Sequence, residues 1–218
     1  VWSSAVCFSK DTTKQVLADD EIDLPPGITI YSWDSKDIRA QKLSKLTLPL
    51  FVKPNKNGSS YGISKVSHAD ELMDALEKAF EFDDEVLVDE EIAGVEVTCG
   101  VLQYQGKPLA LPLTEIRTHK AFFDYEAKYQ GASDEITPAE ISEADTRKCQ
   151  ELSKYLYRRL CCAGLARFDY ILKGGIFYLL EVNTVPGLSA ESIVPQQAIA
   201  HGWSLETLFS NCIEEMLR

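Results

Sequence analysis

LARFDYILKGGIFYLLEVNTVPGLSAES, from Leu165 to Ser192, is two apolar runs around a Gly174-Gly175 turn, the pattern of a β-hairpin. Side chains alternate faces along a strand, so Arg167 and Asp169 share one face and Glu181 and Asn183 share one face of the partner. Asp, Glu and Asn offer only hard oxygen ligands, the donors Mg²⁺ prefers, and Mg²⁺ is usually held by few carboxylates plus substrate phosphates. Solvated positions on an amphipathic hairpin are the plain alternative. Three such groups beside an arginine, ahead of a Pro186-Gly187 turn, favour a metal–nucleotide site. Directly opposed residues need an odd number of residues between them. Placing Asp169 opposite Glu181 therefore calls for a three-residue loop, Gly174 to Ile176, with a bulge.

With 218 residues, 45% hydrophobic and 26% charged, the chain can bury one large core or two modest ones. A net charge of −12 argues against a nucleic-acid partner, which needs a basic surface, but a few placed lysines can still neutralise a triphosphate. No apolar run approaches the ~20 residues that span a bilayer, and no signal peptide is visible at the N-terminus. Six cysteines, Cys7, Cys99, Cys149, Cys161, Cys162 and Cys212, include an adjacent pair but no C-x-x-C, which fits reduced, buried thiols. His68, His119 and His201 show no zinc spacing.

Strands and helices alternate. Asp11 to Ala18 reads as a short helix and Ile28 to Tyr31 as a strand. Leu50 to Lys53 enters N-K-N-G-S-S-Y-G, and Ile63 to Val66 continues as a strand. Ser67 is placed to cap a helix with Leu72, Leu76, Ala79 and Phe80 at helical spacing. Val86 to Val88, Val95 to Leu102 and Leu109 to Ile116 read as strands. Arg117 to Ile136 has no clean period, which predicts a long loop of the kind that serves as a lid. Ser142 caps a helix to about Leu160, and Leu205 to Leu217 closes the chain.

Three further segments bear on chemistry. Lys53 with Gly58-Ser59-Ser60-Tyr61-Gly62 lacks the Walker pattern, yet a small-residue loop between antiparallel strands offers N–H groups and hydroxyls to phosphates. Read alone, an ordinary hairpin turn fits it as well, but a lysine in a buried strand needs an anionic partner. V-L-V-D-E-E-I-A-G-V-E, from Val86 to Glu96, fits a hinge whose backbone reads a purine edge, or a solvated strand end. F-F-D-Y-E-A-K-Y, from Phe122 to Tyr129, mixes aromatic, acidic and lysine residues. That suits a lid closing over a charged ligand, although its aromatics would equally anchor a loop to a core.

Taken together, F-V-K-P with G-S-S-Y-G-I-S-K-V, then F-F-D-Y-E-A-K-Y, G-L-A-R-F-D and L-L-E-V-N-T-V-P-G with S-I-V-P, make the chain resemble the D-alanine–D-alanine ligases of the ATP-grasp superfamily. The resemblance covers the central and C-terminal domains, from about Ser3 onward. It implies an α+β fold in which two lobes with antiparallel sheets and flanking helices enclose a nucleotide. Residues 1–91 would form the central lobe and 92–218 the C-terminal lobe. It implies transfer of the ATP γ-phosphate to one D-alanine carboxylate, then attack by the amine of a second on the acyl phosphate. The product feeds peptidoglycan precursors, so the enzyme is expected in the bacterial cytoplasm, as a homodimer when full-length, with no nucleic-acid or membrane partner.

The implied roles are as follows. Lys10 and Lys53 contact the α- and β-phosphates under a loop carrying Ser59 and Ser60, and Lys128 reaches the γ-phosphate. The backbone of Glu90, Glu91 and Ile92 reads adenine, and Glu96 binds the ribose. Asp169, Glu181 and Asn183 hold two Mg²⁺ ions, for which Mn²⁺ can substitute. Arg167 and the Gly187 N–H stabilise the oxyanion, while Ser192 and Ile193 hold the second substrate's carboxylate. Ser59 and Tyr129 belong to a hydrogen-bonded set with a glutamate of an N-terminal domain, which is expected to lie outside this sequence. Phosphoryl transfer is catalysed by positioning and charge neutralisation, which matches lysines and metal ligands without a protein nucleophile. Asp89 departs from the family, which usually has Glu beside the adenine. Two alternatives stand beside this reading: a D-alanine–D-lactate ligase, whose lid has Phe where Tyr129 stands, and a nucleotide-binding piece without turnover.

Overall fold

The computed structural model describes residues 1–58, 61–118 and 133–217. They divide into two compact units, one built on Ser9–Ala93, the other on Val1–Phe8, Gly94–Arg117 and residues 134–217. Every strand pairing whose register is given below is antiparallel.

In the first unit, β1 (Gly27–Tyr31), β2 (Leu50–Pro54), β3 (Ser64–Val66) and β4 (Glu85–Glu90) form a sheet in the order β1-β4-β2-β3. Alternation gives it two unlike faces. Ile30, Leu50, Val52, Val86 and Val88 face a core completed by Ala75, Leu76 and Ala79 of a helix spanning Leu72–Phe80. The opposite face carries Lys53 on β2 and Asp89 on β4, with Asp89 paired to Gly27 and to Phe51. A short helix, Lys10–Val16, reaches this face: its Asp11 accepts a hydrogen bond from the Thr29 hydroxyl at 2.6 Å. Gly27 is required by proximity, since a Cβ there would lie 1.9 Å from Asp89 Oδ1.

In the second unit, β5 (Val95–Tyr104), β6 (Lys107–Ala110), β7 (Thr114–Thr118), β8 (Ser133–Ile136), β9 (Leu165–Lys173) and β10 (Ile176–Asn183) form a sheet. Its order is β10-β9-β5-β7-β8, with β6 also paired to β5. Phe168 and Tyr170 of β9 are buried on one face, and Tyr170 shares a 2.9 Å hydrogen bond with Ser153 of the helix Glu143–Arg159. The other face packs Leu102 and Leu111 against Val194, Ala198 and Leu208, which come from helices Ile193–Ala200 and Leu205–Met216. None of the described helices is long and apolar enough to cross a membrane.

Several expectations need correcting. The β9–β10 turn has two residues, Gly174 and Gly175 at φ 58° and 78°, rather than three. Positive φ at both central residues matches the right-handed strand twist, which is why glycines stand there. The odd residue is supplied further along: the register shifts between Leu179 and Glu181, so Leu180 is the bulge and Asp169 still pairs with Glu181. Leu109 to Ile116 is not one strand but the end of β6 and the start of β7, because the chain leaves the sheet between Ala110 and Thr114. Arg117 to Ile136 is not loop throughout. β7 runs on to Thr118 and β8 occupies Ser133–Ile136, while the intervening residues lie outside the described ones. The helix after Ser67 is not capped by its hydroxyl. Glu71 Oε2 instead accepts from the Ser67 and His68 N–H groups at 2.8 and 3.1 Å, starting a 3₁₀ turn, Ala69–Glu71. Helices at Trp2–Phe8, Lys36–Leu43 and Ile193–Ala200 were not expected. Cys7, Cys99 and Cys149 are buried, but Cys161 is exposed and Cys162 and Cys212 are only half-buried.

Gly27→Ala is expected to destabilise the protein by about 1–3 kcal/mol or more through overpacking against Asp89. Gly58→Ala, with nothing within 4 Å of the added carbon, is the control and should be neutral or stabilising. Urea-unfolding midpoints of the two variants would check this.

Candidate functional site

Two constellations stand out, one in each unit. In the first unit, Lys53 Nζ lies 2.9 Å from Asp89 Oδ2, and Lys14 Nζ lies 2.5 Å from Asp89 Oδ1 and 3.1 Å from the Pro25 carbonyl. Asp89 and Lys53 are both buried. Burial pushes the Lys14 ammonium below the usual lysine value, with Asp89 offsetting part of that and the Lys53 charge adding to it. Asp89 thus carries two cations, and the nearby Asp11 carboxylate also acts on Lys14. Lys10, four residues before Lys14 on the same helix, donates to the Asn57 carbonyl at 2.9 Å. Asn55 fixes the start of that helix. Its Oδ1 accepts from the Asp11 N–H at 2.8 Å and its Nδ2 donates to Ser9 Oγ at 3.0 Å. Lys10 and Lys53 are thus brought to the strand that enters the glycine-containing loop.

Glu90 and Glu91 follow Asp89, and their N–H groups donate to the Pro26 and Pro49 carbonyls at 2.8 and 2.9 Å. Their side chains are also engaged: Glu90 Oε1 accepts from the Thr47 N–H at 2.7 Å, and Glu91 Oε1 pairs with Lys65 at 2.6 Å. Base reading by this segment would therefore fall to its carbonyls and to Ile92. Ser59, Ser60, Lys128 and Tyr129 lie outside the described residues.

In the second unit, Thr98 of β5 pairs with Asp169 of β9, which pairs with Glu181 of β10. The neighbouring row on the same face is Gly100, Arg167 and Asn183. Glu96, two residues before Thr98, is on this face as well. Arg167 Nε and Nη2 reach Asp169 Oδ1 and Oδ2 at 2.8 and 2.7 Å, a bidentate pair with both residues buried. Burial works against the Arg167 cation, but Asp169, then Glu181 and Glu135, outweigh it and raise its pKa. The buried Thr98 hydroxyl has no hydrogen-bond partner among the described residues. Beyond the strand, Asn183 Oδ1 accepts from the Val185 N–H at 3.2 Å. Gly187 lies against Ser192, whose Oγ would be 2.7 Å from a Cβ at Gly187, and Ser192 Oγ bonds Ser189 Oγ at 2.8 Å.

The donor set fits a hard divalent cation. Among the described residues no three His, Cys, Asp or Glu side chains cluster, so metal charge would be met by two carboxylates with amide and ligand oxygens. A carboxylate has about four lone-pair sites and Arg167 engages two of Asp169's, which leaves that residue able to ligate.

Residues 17–214 match the family model described as D-ala D-ala ligase C-terminus. The chain belongs to this family. It is 49% identical over 221 residues to a D-alanine–D-alanine ligase of Christiangramia forsetii and 45% identical over 214 residues to one of Flavobacterium johnsoniae, covering 99% and 98% of the chain. It spans 66% of each of those relatives' own length. Among solved structures, VanG D-Ala:D-Ser ligase of Enterococcus faecalis superposes with a TM-score of 0.89 at 34% identity, over 98% of this chain and 62% of that one. D-alanine–D-alanine ligase of Bacillus anthracis complexed with ATP does so at 0.84 and 33%, over 100% and 68%. The fold of this ligase-family chain is accordingly α+β of the ATP-grasp type.

Lys14, Gly27, Thr98 and the hub role of Asp89 were not anticipated. The spacing of Lys10 and Lys14 in K-D-T-T-K places both on one helix face, a signal the sequence does hold. Thr98 and Gly27 have none, since only strand register brings them to these faces.

Asp89→Ala is expected to cost about 3–5 kcal/mol by leaving buried ammonium groups uncompensated, read as a lowered unfolding midpoint. The depressed Lys14 pKa has its own signature. Between that value and the unfolded lysine value of about 10.4, the unfolded state binds more protons, so this group's contribution to stability rises with pH. The wild-type-minus-Lys14→Met difference in unfolding free energy should grow across that alkaline window.

Proposed function

We propose that the protein carrying this chain is an ATP-dependent D-alanine–D-alanine ligase that makes a peptidoglycan-precursor dipeptide in the bacterial cytoplasm. One observation carries the reading: Asp169 opposite Glu181, with Arg167 and Asn183 as the adjoining pair on the same face, in a chain of the ligase family. Asp169, Glu181 and Asn183 are the proposed holders of Mg²⁺. When bound, Mg²⁺ supplies charge neutralisation to the transferring phosphoryl group.

The chain's own residues do the rest by position and charge. Lys53 and Lys10 are assigned to the ATP phosphates, where fixed ammonium groups compensate anionic oxygens. Glu96 is assigned to the ribose hydroxyls, and the carbonyls of Glu90 and Glu91 with Ile92 to adenine. Two of the five N–H donors of Arg167 hold Asp169. Its remaining donors, with the Gly187 N–H, suit the oxyanion formed when an amine attacks an acyl phosphate, because preorganised donors need not reorient as charge develops. Ser192 and Ile193 begin a helix, where backbone N–H groups favour an acceptor carboxylate. Ser59, Ser60, Lys128 and Tyr129 keep the roles the resemblance gives them. Residues 1–91 and 92–218 are proposed as the two lobes. The likeness to VanG favours one second reading, D-serine as the acceptor.

The full-length protein should release ADP with D-alanine and form D-alanyl-D-alanine, detected by mass spectrometry, with D-serine and D-lactate as competing acceptors. Glu181→Gln should weaken Mg²⁺-dependent ATP binding by about 10–100-fold or more, measured by titration calorimetry. Metal-independent ATP binding unaffected by that change would sink the metal assignment. A preference for D-serine would establish the second reading.

A further inference from the structure

Gln197 lies in the helix Ile193–Ala200 and is fully buried, yet its amide bonds a neighbouring sheet rather than its own helix. Nε2 donates to the Thr98 carbonyl at 2.9 Å and to Thr114 Oγ1 at 3.1 Å, and Oε1 accepts from the Gly100 N–H at 2.9 Å. These bonds fall where the sheet has a gap. β5 pairs with β7 as far as Thr98 opposite Thr114, and with β6 from Val101 opposite Ala110. The amide takes the place of a strand for the backbone of Thr98 and Gly100. Gly100 has no side chain for this reason: a Cβ would lie 2.6 Å from Gln197 Oε1. Thr114 is itself tied to Thr137 Oγ1 at 2.6 Å, so the amide enters a buried polar chain with both donors and its acceptor engaged.

The two β5 residues held in this way are the lateral partners of Asp169 and Arg167. The helix that supplies the amide begins at Ser192 and Ile193, five and four residues upstream. One side chain therefore joins the start of that helix to the rows that carry the carboxylates and the arginine. We propose that Gln197 is a positioning residue that sets the acceptor-binding helix against the strands of the reacting centre. The inference rests on the assignment of Ser192 and Ile193 to the acceptor. It makes acceptor binding depend on Gln197 while leaving ATP binding largely alone, because no residue assigned to the nucleotide's phosphates or base bonds the amide.

Steady-state kinetics of the full-length protein test this. Gln197→Ala should raise the KM for the acceptor D-alanine about tenfold, the size of effect a buried, fully bonded amide gives when its partners are orphaned. The KM for ATP should stay within about twofold. Gly100→Ala, which keeps the amide but crowds its oxygen, should move the acceptor KM in the same direction by less. The two changes together should be less than additive, because the crowding disappears with the amide. A loss confined to stability, or ATP and acceptor KM rising together, would overturn the proposal. If Gln197→Ala does not fold, Gly100→Ala and Thr114→Val carry the same comparison, and an unchanged acceptor KM in both overturns it. A wild-type protein that forms no dipeptide fails the functional reading itself and removes the inference with it, whereas an active wild type with unmoved variants fails the inference alone.

Discussion

One inserted residue decides which side of the second sheet gathers the polar and charged groups. A two-residue turn pairs Lys173 with Ile176, and an unbroken ladder from there would put Leu180 opposite Asp169 and Glu181 opposite Phe168. Strand alternation would then turn Glu181 and Asn183 toward the face on which Phe168 and Tyr170 are buried. Two polar groups would enter an apolar layer and the arginine–aspartate face would lose its partners. The bulge at Leu180 restores the parity. It lets a tight glycine turn and a common carboxylate face coexist in one hairpin. Everything assigned to the second unit, from Arg167 to Asn183, depends on that shift.

Both sheets then share a design in which one face is apolar and the other holds buried charge. A buried ion is costly unless paired, and pairing seldom yields a net gain over a hydrophobic replacement of similar volume. Arg167 with Asp169, and Lys53 and Lys14 with Asp89, are therefore poorly explained as stabilising devices. On the proposed function they are charges stored where an ionic ligand would bind. The pairs keep each group desolvated and oriented in the interim. Arg167 is the clearer case, since its bidentate grip fixes the guanidinium plane before any substrate arrives.

Much of this was legible in the chain. Period-two runs with flanking turn residues identified β1 to β5, and the helix Glu143–Arg159 announced itself by its Ser142 cap, whose hydroxyl accepts from the Asp145 N–H at 3.0 Å. What escaped has physical causes. The break at residues 111–113 did carry a signal, Pro112, but the apolar Leu111 and Leu113 on either side made an exit from the sheet look like continued strand. The bulge at Leu180 leaves no trace because two adjacent leucines fit either register. The helix Ile193–Ala200 carries Pro195 near its start, buries the polar Gln197 and leaves the apolar Ile199 exposed, so it offers no amphipathic stripe. Residues with a chemical signature, such as Lys53, Asp169 and Glu181, could be singled out as candidates from sequence. Those defined by who lies opposite them, such as Thr98 and Gly27, could not.

Asp89 shows how one short side chain organises its surroundings. It keeps its carboxylate close to the sheet, over the space that Gly27 leaves open. At that depth both oxygens are reached from the same face, by Lys53 on one and Lys14 on the other. Burial lowers the proton affinity of Lys14, so its attachment to Asp89 relies on the pairing itself. On the proposed function a phosphate that recruits Lys53 would take it from Asp89, and Lys14 is already in position to keep that carboxylate compensated. Two lysines on one aspartate thus allow one of them to change partners without leaving a bare charge in the interior.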